Sequence, residues 1–321
     1  MIINIILLIV GFALLIKGAD IFVDGASDTA RSFKISKTII GLTIVAFGTS
    51  APELAVSLQA LAANNGDMVL GNVIGSCIIN TLLIIGIAAI IKPIRAKNNT
   101  VRKELPITLM ISTLLAILML DIKLGSSPLN QITRSDAVVI LLFFCVFIYY
   151  LFSQITKRKD DKKDEDEIEK PKNKLWKSLL FTGLGLAGVI YGSDLVVSNT
   201  TTIAATIGIS KRIISLTVIA LGTSLPELVT TIVSAKKGEQ DIMLGNIIGS
   251  NIFNICVVLG IPVAIFGSIN PSSFNSIDII GLVGSSLLLF FFALTKKTIS
   301  RFEGIIMFLL FIVYYVLIFI F

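Results

Sequence analysis

Two glutamates lie deep inside long apolar stretches of the sequence. Glu53 follows Pro52 in the run GTSAPEL, and Glu227 follows Pro226 in the run GTSLPEL. An ionisable side chain at membrane depth is expensive and marks a functional site by default. A glutamate hydrogen-bonded only for helix packing is the alternative. Because the same residue recurs in the same surroundings, we favour the functional interpretation.

Backbone carbonyls and small polar side chains accompany each glutamate at spacings that share one helix face. Each proline lacks an N–H group, and its ring crowds the carbonyl four residues back, which frees carbonyls near Gly48 and Gly222. At membrane depth such backbone needs a partner, and a cation can be that partner. The two faces consist of Ala46, Thr49, Ser50 and Glu53, and of Ala220, Thr223, Ser224 and Glu227.

A second polar stripe lies on the helix predicted to follow each glutamate. It repeats at i, i+4 and i+8 and consists of Asn72, Ser76 and Asn80 in one copy and Asn246, Ser250 and Asn254 in the other. Taken alone, such a stripe is equally consistent with packing between helices. Beside two buried carboxylates, its oxygens indicate a site for hard cations such as Ca²⁺ or Na⁺.

The paired carboxylates define the chemistry available to this site. Two glutamates balance one Ca²⁺, hold several Na⁺ ions, or are neutralised by protons. An empty site is disfavoured because two unpaired buried negative charges repel each other. Ions that share these carboxylates are therefore expected to replace one another, which is the basis of exchange.

The sequence repeats itself at one constant offset. Residues 41–80 align without gaps with residues 215–254, and 18 of the 40 positions are identical. The offset of 174 residues also pairs Gly18 with Gly192 and Asp20 with Asp194. The chain therefore contains two homologous halves.

Ten apolar segments predict membrane-spanning helices, because about twenty residues cross the hydrocarbon core. They cover residues 3–27, 38–63, 68–91, 104–121, 135–154, 176–200, 212–235, 241–266, 277–295 and 302–320. The predicted fold class is an all-α integral membrane protein with ten transmembrane helices. Five helices per half is an odd number, so the halves form two inverted five-helix repeats. This is a transporter architecture with its site near the midplane, although channels and some intramembrane enzymes also contain repeats.

A charged segment separates the halves. Residues 1–154 form the predicted first repeat, residues 155–175 a linker, and residues 176–321 the second repeat. The linker lacks the central glycine and ligand spacing of an EF-hand, so we interpret it as solvated chain. The sequence has no histidine, and its three cysteines lie in apolar segments, which makes histidine sites impossible and disulfides unexpected. The apolar beginning is interpreted as the first spanning helix rather than a removed signal peptide.

The basic residues predict the orientation in the membrane. The formal net charge is +6, but Lys and Arg lie between the apolar runs, a pattern that orients a membrane protein and argues against nucleic acid as a partner. With both termini outside, 22 of the 27 basic residues fall on the cytoplasmic side. That side holds loops 28–37, 92–103, 155–175, 236–240 and 296–301. The other side holds Lys123, Arg134, Lys211 and Arg212.

The paired GTS-x-PE segments, each followed by GN-x-IGS, resemble the α-repeats of the sodium/calcium exchanger family within the cation/calcium antiporters. The resemblance covers both halves. It implies a ten-helix fold in which helices 2, 3, 7 and 8 form the core. It also implies that helices 1 and 6 slide or rock across that core. The linker is too short for the cytosolic regulatory domains of animal relatives, so a prokaryotic type without them is expected.

The resemblance also implies a set of ion ligands. A calcium site would use Glu53, Glu227 and the backbone oxygens of Thr49 and Thr223. An outer sodium site would use Ala220, Thr223, Ser224, Glu227 and Ser76, and an inner one Ala46, Thr49, Ser50, Glu53 and Ser250. Asn80 and Asn254 would complete the centre. Many family members carry aspartate at the position of Asn254, so this chain lacks one potential negative charge and its stoichiometry stays open.

The expected function is Na⁺/Ca²⁺ antiport through these residues by alternating access. H⁺-coupled exchange of Ca²⁺ or another cation is the alternative, although proton-coupled relatives typically have asparagine before a threonine–glutamate pair. No histidine or catalytic signature supports an enzyme, and a channel would need no counter-ion. We expect no cofactor, a lipid bilayer as surroundings, Ca²⁺ and Na⁺ as substrates, and no obligate protein partner.

Overall fold

A computed structural model describes residues 2–124, 129–160, 171–208, 220–271, 274 and 276–320. These residues are mostly helical. Seven of their helices are long and apolar enough to cross a membrane, or eight if one bent pair counts as a single span. The predicted segments 104–121 and 212–235 are not among them, since their described helices are shorter. A multi-helix membrane fold is therefore supported, while the count of ten spans stays a prediction.

The helices are numbered in chain order. They are α1 (Ile2–Phe33), α2 (Lys37–Thr49), α3 (Ala51–Ala62), α4 (Gly66–Ile91), α5 (Leu105–Leu118), α6 (Asp121–Leu124), α7 (Arg134–Asp160), α8 (Leu175–Thr206), α9 (Ala220–Thr223), α10 (Leu225–Lys237), α11 (Gln240–Phe266), α12 (Ser276–Lys296) and α13 (Arg301–Ile320). A π-helical turn, Thr100–Glu104, precedes α5, and a two-residue antiparallel ladder pairs β1 (Ile94–Arg95) with β2 (Thr298–Ile299).

The chain divides into two compact units that differ from the predicted sequence repeats. The first unit comprises Met1–Pro52 and Ile155–Ile247, and the second comprises Glu53–Gln154 and Ile248–Phe321. Each unit thus contains segments from both halves of the sequence. The predicted division at residues 155–175 concerns homology and stays a prediction. Residues 161–170 of that linker lie outside the described part of the chain.

Glycines bring α1 and α8 into close contact in the first unit. A Cβ atom at Gly18 would lie 2.7 Å from the carbonyl carbon of Gly188, a distance that real Cβ contacts do not reach. Gly185 similarly faces the backbone of Phe22, which is fully buried. Small residues let helix backbones approach closely in membranes, where packing rather than the hydrophobic effect holds helices together.

Ion pairs link several helices in the first unit. Lys37 Nζ lies 2.7 Å from Glu239 Oε2, and Lys237 Nζ lies 2.8 Å from Asp20 Oδ1. The contact of Lys37 with Glu239 fits the alternation of loops predicted from sequence, because loops 28–37 and 236–240 are assigned to the same side. Asp20 lies within the predicted first span rather than in a loop.

Asp28 joins the end of the linker to α1. Its carboxylate accepts hydrogen bonds from the backbone N–H groups of Lys172 at 2.7 Å and Asn173 at 2.8 Å, and from Ser178 Oγ at 3.1 Å. Asp28 is 2% exposed, so these bonds replace its hydration. They fix the point at which the chain enters α8.

In the second unit too, loops that contact each other are loops that the sequence assigns to the same side of the membrane. The ladder of β1 with β2 joins loops 92–103 and 296–301, which the sequence assigns to one side. An isolated antiparallel bridge pairs Ile132 with Ile269, both in loops assigned to the other side. Which of the sides is cytoplasmic stays a prediction.

Candidate functional site

Both proline–glutamate segments interrupt a helix, as the sequence predicts. The chain bends by 44° between α2 and α3. Ser50 stands at this break with φ −90° and ψ 8°, and Ser224 stands between α9 and α10 with φ −88° and ψ 5°. Such angles lie in the sparsely populated bridge region, where many active-site residues are found. The two repeat-related serines therefore share one local conformation.

The glutamates begin the helices that follow these breaks. Glu53 lies in the first turn of α3 and Glu227 in the first turn of α10, and both are 0% exposed. The positive end of each helix dipole stabilises a carboxylate at this place. The proline breaks thus create a buried but electrostatically supported position for each negative charge.

Glu227 receives a hydroxyl hydrogen bond in the first unit. Ser50 Oγ donates to Glu227 Oε1 at 2.8 Å, and both residues are fully buried. The contact joins residues separated by 177 positions, one from each half of the sequence. The first unit therefore brings two of the predicted ligands together.

An amide–hydroxyl chain accompanies this pair. Thr49 Oγ1 donates to Asn246 Oδ1 at 3.1 Å, and Asn246 Nδ2 donates to Thr231 Oγ1 at 3.4 Å. The carbonyl of Gly222, expected to be available to a cation, instead accepts a hydrogen bond from Ser193 Oγ at 3.1 Å. A side chain of α8 thus occupies one of the two acceptor positions of that carbonyl.

The corresponding arrangement in the second unit surrounds Glu53. Asn72 Nδ2 donates to the backbone carbonyl of Glu53 at 3.1 Å and to Ser57 Oγ at 3.0 Å. The offset of 174 residues maps Asn72 onto Asn246 and Ser57 onto Thr231, so the same asparagine–hydroxyl bond occurs in both repeats.

The central asparagines lie in π-helical turns. Asn80 lies in the turn Ile79–Ile84, and Asn254 opens the turn Asn254–Leu259. Both side chains are 0% exposed. π-Helical turns inside α-helices are rare and often mark functional sites. Here they occur at repeat-related positions.

Most of the predicted ligands are buried. Thr223 is half-buried, the side chain of Ala220 lies outside the described part, and the buried ones are Ala46, Thr49, Ser50, Glu53, Ser76, Asn80, Ser224, Glu227, Ser250 and Asn254. Among the described residues, no group of three or more His, Cys, Asp and Glu side chains forms a cluster. Apart from the two glutamates, the predicted ligands are neutral oxygens, a type of ligand that hard cations accept.

Four polar residues in the hydrogen bonds of the candidate site were not predicted from the sequence. Ser57 binds Asn72, Thr231 binds Asn246, and Asn251 binds Asn80. Ser193 binds the Gly222 carbonyl. Asn251 directly follows Ser250 in the second IGS block, but the equivalent residue in the first half is Cys77. A comparison of the two halves therefore does not single out Asn251. The buried amide in an apolar helix was the available signal.

Comparisons with known proteins identify a family and relatives for this chain. The family model described as "Sodium/calcium exchanger protein" matches residues 3–153 and 177–320. The sodium/calcium exchanger MaX1 of Methanosarcina acetivorans is 30% identical, over 99% of both chains. The inner membrane protein YrbG of Escherichia coli is 39% identical, over 84% of this chain and 82% of its own. A solved structure of the sodium-calcium exchanger NCX_Mj matches with a TM-score of 0.83 and 33% identity, over 97% of both chains.

Proposed function

Because the chain belongs to the sodium/calcium exchanger protein family, we propose that it exchanges Na⁺ for Ca²⁺ across a cell membrane. The observation that carries this proposal is the burial of Glu53 and Glu227 at the starts of two repeat-related helices. The family is one of transporters, and Ca²⁺ and Na⁺ act as substrates rather than as cofactors.

The buried carboxylates give the proposal its physical basis. An ionised carboxylate removed from water carries a penalty of several kcal/mol unless partners compensate it. The Ser50 hydroxyl and a helix dipole offset part of that penalty for Glu227. A cation offsets far more, so we propose that both glutamates ligate the transported ions.

The remaining ligands are proposed by position in the repeat. Ca²⁺ would also take the backbone oxygens of Thr49 and Thr223. One Na⁺ would take Ala220, Thr223, Ser224, Glu227 and Ser76, and another would take Ala46, Thr49, Ser50, Glu53 and Ser250. Asn80 and Asn254 would supply central amide oxygens. Because the ions share the glutamates, Ca²⁺ and Na⁺ compete, and one ion leaves only as the other enters.

Transport by alternating access completes the proposal. We propose that two inverted five-helix repeats form the protein and that α1 and α8 move across the other helices to expose the ions to either side. The glycine contact of α1 with α8 supports this idea, since backbones that touch through Gly18 and Gly188 can move as one body. From the distribution of basic residues, we propose that both termini lie outside and that residues 155–175 lie in the cytoplasm.

The central amides favour sodium over proton coupling. Asn80 and Asn254 are amides, which do not titrate, so the candidate ligands include two carboxylates and no third. Proton-driven exchange would have to rely on Glu53 and Glu227 alone, the groups that also balance Ca²⁺. We propose no protein partner and no enzymatic activity.

Reconstituted vesicles test the coupling. Protein in Na⁺-loaded liposomes is diluted into Na⁺-free buffer with ⁴⁵Ca²⁺, and parallel vesicles contain K⁺ or an acidic interior. We expect uptake only with an outward Na⁺ gradient. Uptake driven by the proton gradient alone would replace the proposal with H⁺-coupled exchange, and uptake that ignores every gradient would indicate a channel.

A further inference from the structure

Asn251 is a buried asparagine that is not among the proposed ligands, and it is hydrogen-bonded to Asn80, which is. Asn80 Nδ2 donates to Asn251 Oδ1 at 3.1 Å, and Asn251 Nδ2 donates to Thr81 Oγ1 at 2.9 Å. We propose that Asn251 is a positioning residue that fixes the Asn80 amide so that its carbonyl oxygen faces the transported cation. This inference rests on the proposed function and adds a residue that orients a ligand of the same site.

The hydrogen bonds leave one amide atom of Asn80 available. Its Nδ2 is used by Asn251, whereas its Oδ1 is buried and has no hydrogen-bond partner among the described residues. A buried polar atom without a partner costs about 1–3 kcal/mol, and a cation would remove that cost. Reversing both amides would keep the chain of bonds, because the Thr81 hydroxyl both donates and accepts. It would, however, turn a repelling NH₂ group toward the cation, so a bound cation selects the orientation shown.

The position of Asn80 agrees with this role. Asn80 shares a face of α4 with Asn72 and Ser76, and Asn72 Nδ2 donates to the backbone carbonyl of Glu53. The face that carries Asn80 is therefore the one that contacts the helix of the glutamate. Asn80 also lies in the π-helical turn Ile79–Ile84, a feature that is frequent at functional sites.

The second repeat has no residues equivalent to the pair of Asn251 and Thr81 that accompanies Asn80. At the repeat offset, Asn251 corresponds to Cys77 and Thr81 corresponds to Ile255, neither of which can orient an amide as Asn251 does. Both amide atoms of Asn254 are buried and have no hydrogen-bond partner among the described residues. The two central amides therefore differ: Asn80 is hydrogen-bonded to a neighbouring amide, whereas Asn254 is not held by any described side chain.

A double-mutant cycle in proteoliposomes tests the assignment. Asn251→Leu removes both the acceptor and the donor while keeping the number and branching of the heavy atoms, and Asn80→Asp replaces the amide by a carboxylate whose two oxygens are equivalent. We expect Asn251→Leu to raise the half-saturating Ca²⁺ concentration for Na⁺-driven uptake by about tenfold, the equivalent of about 1.4 kcal/mol. In the Asn80→Asp background the same substitution should change it less than about twofold, because a carboxylate needs no orientation.

Controls separate positioning from folding. Ser286→Ala removes a buried hydroxyl pair with Ser112 in the same unit and should leave the half-saturating Ca²⁺ concentration unchanged. Ca²⁺-induced thermal stabilisation in detergent gives the same comparison for any variant that does not turn over. Equal effects of Asn251→Leu in both backgrounds, or no effect in the wild-type background, would overturn the inference. Wild-type vesicles without Na⁺-dependent uptake would instead refute the proposed function.

Discussion

Adding one methyl group at Gly18 should disturb the contact between α1 and α8. The new Cβ would lie 2.7 Å from the Gly188 carbonyl carbon and from the Val189 backbone nitrogen, both of which are backbone atoms that cannot rotate away. The helices must separate by about 0.7 Å to reach the 3.4 Å at which ordinary van der Waals contact begins. Overpacking of this kind costs about 1–3 kcal/mol. We therefore expect Gly18→Ala to lower the thermal unfolding temperature in detergent and to slow Na⁺-driven ⁴⁵Ca²⁺ uptake.

A glycine on the same helix pair provides the matched control. Gly183 on α8 is exposed, and a Cβ there would meet no atom within 4 Å. Gly183→Ala should be neutral or slightly stabilising, since alanine is the better helix former by about 1 kcal/mol. If Gly18→Ala matched Gly183→Ala in both unfolding temperature and uptake rate, the close contact of α1 and α8 would be refuted.

Two further predictions concern single hydrogen bonds. Ser50→Ala removes the donor that lies 2.8 Å from Glu227 Oε1. Because hydrogen bonds to charged groups are worth about 1.5–3 kcal/mol, the internal Na⁺ concentration for half-maximal Ca²⁺ uptake should rise about tenfold. An unchanged value would argue against Ser50 as a ligand. Asp28→Ala leaves the backbone N–H groups of Lys172 and Asn173 without their acceptor. Limited trypsin digestion at Lys172 should therefore become faster. An unaltered digestion rate would show that Asp28 does not hold the linker.

The local features of the site are largely predictable from the sequence. A proline one residue before each buried glutamate forces a helix break, and the structure shows Ser50 and Ser224 in the same bridge conformation. The repeat also pairs Asn72 with Asn246. Each of these amides binds a hydroxyl at repeat-related positions, Ser57 and Thr231, although the two hydroxyls were not predicted as contacts. Helix breaks of this kind depend on only a few neighbouring residues, so the local sequence is enough to predict them.

Contacts between distant helices were not predictable. Nothing near Gly222 indicates that Ser193, on another helix, binds its carbonyl. The π-helical turn that begins at Asn254 has an apolar sequence that would equally form a regular α-helix. Asn251 was overlooked because its role comes from Asn80, far away in the chain. Tertiary packing decides such features, and local sequence patterns do not record it.

Neutralising the paired glutamates is the most direct test of the account. Glu53→Gln and Glu227→Gln each remove one negative charge while keeping the size of the side chain. The control is Glu104→Gln, at a buried glutamate that accepts a hydrogen bond from Tyr150 outside the proposed ligand set. In Na⁺-loaded vesicles, we predict that both site variants lose Na⁺-dependent ⁴⁵Ca²⁺ uptake while the control keeps it. Uptake at the wild-type rate in either site variant would contradict the claim that both carboxylates bind the transported ions.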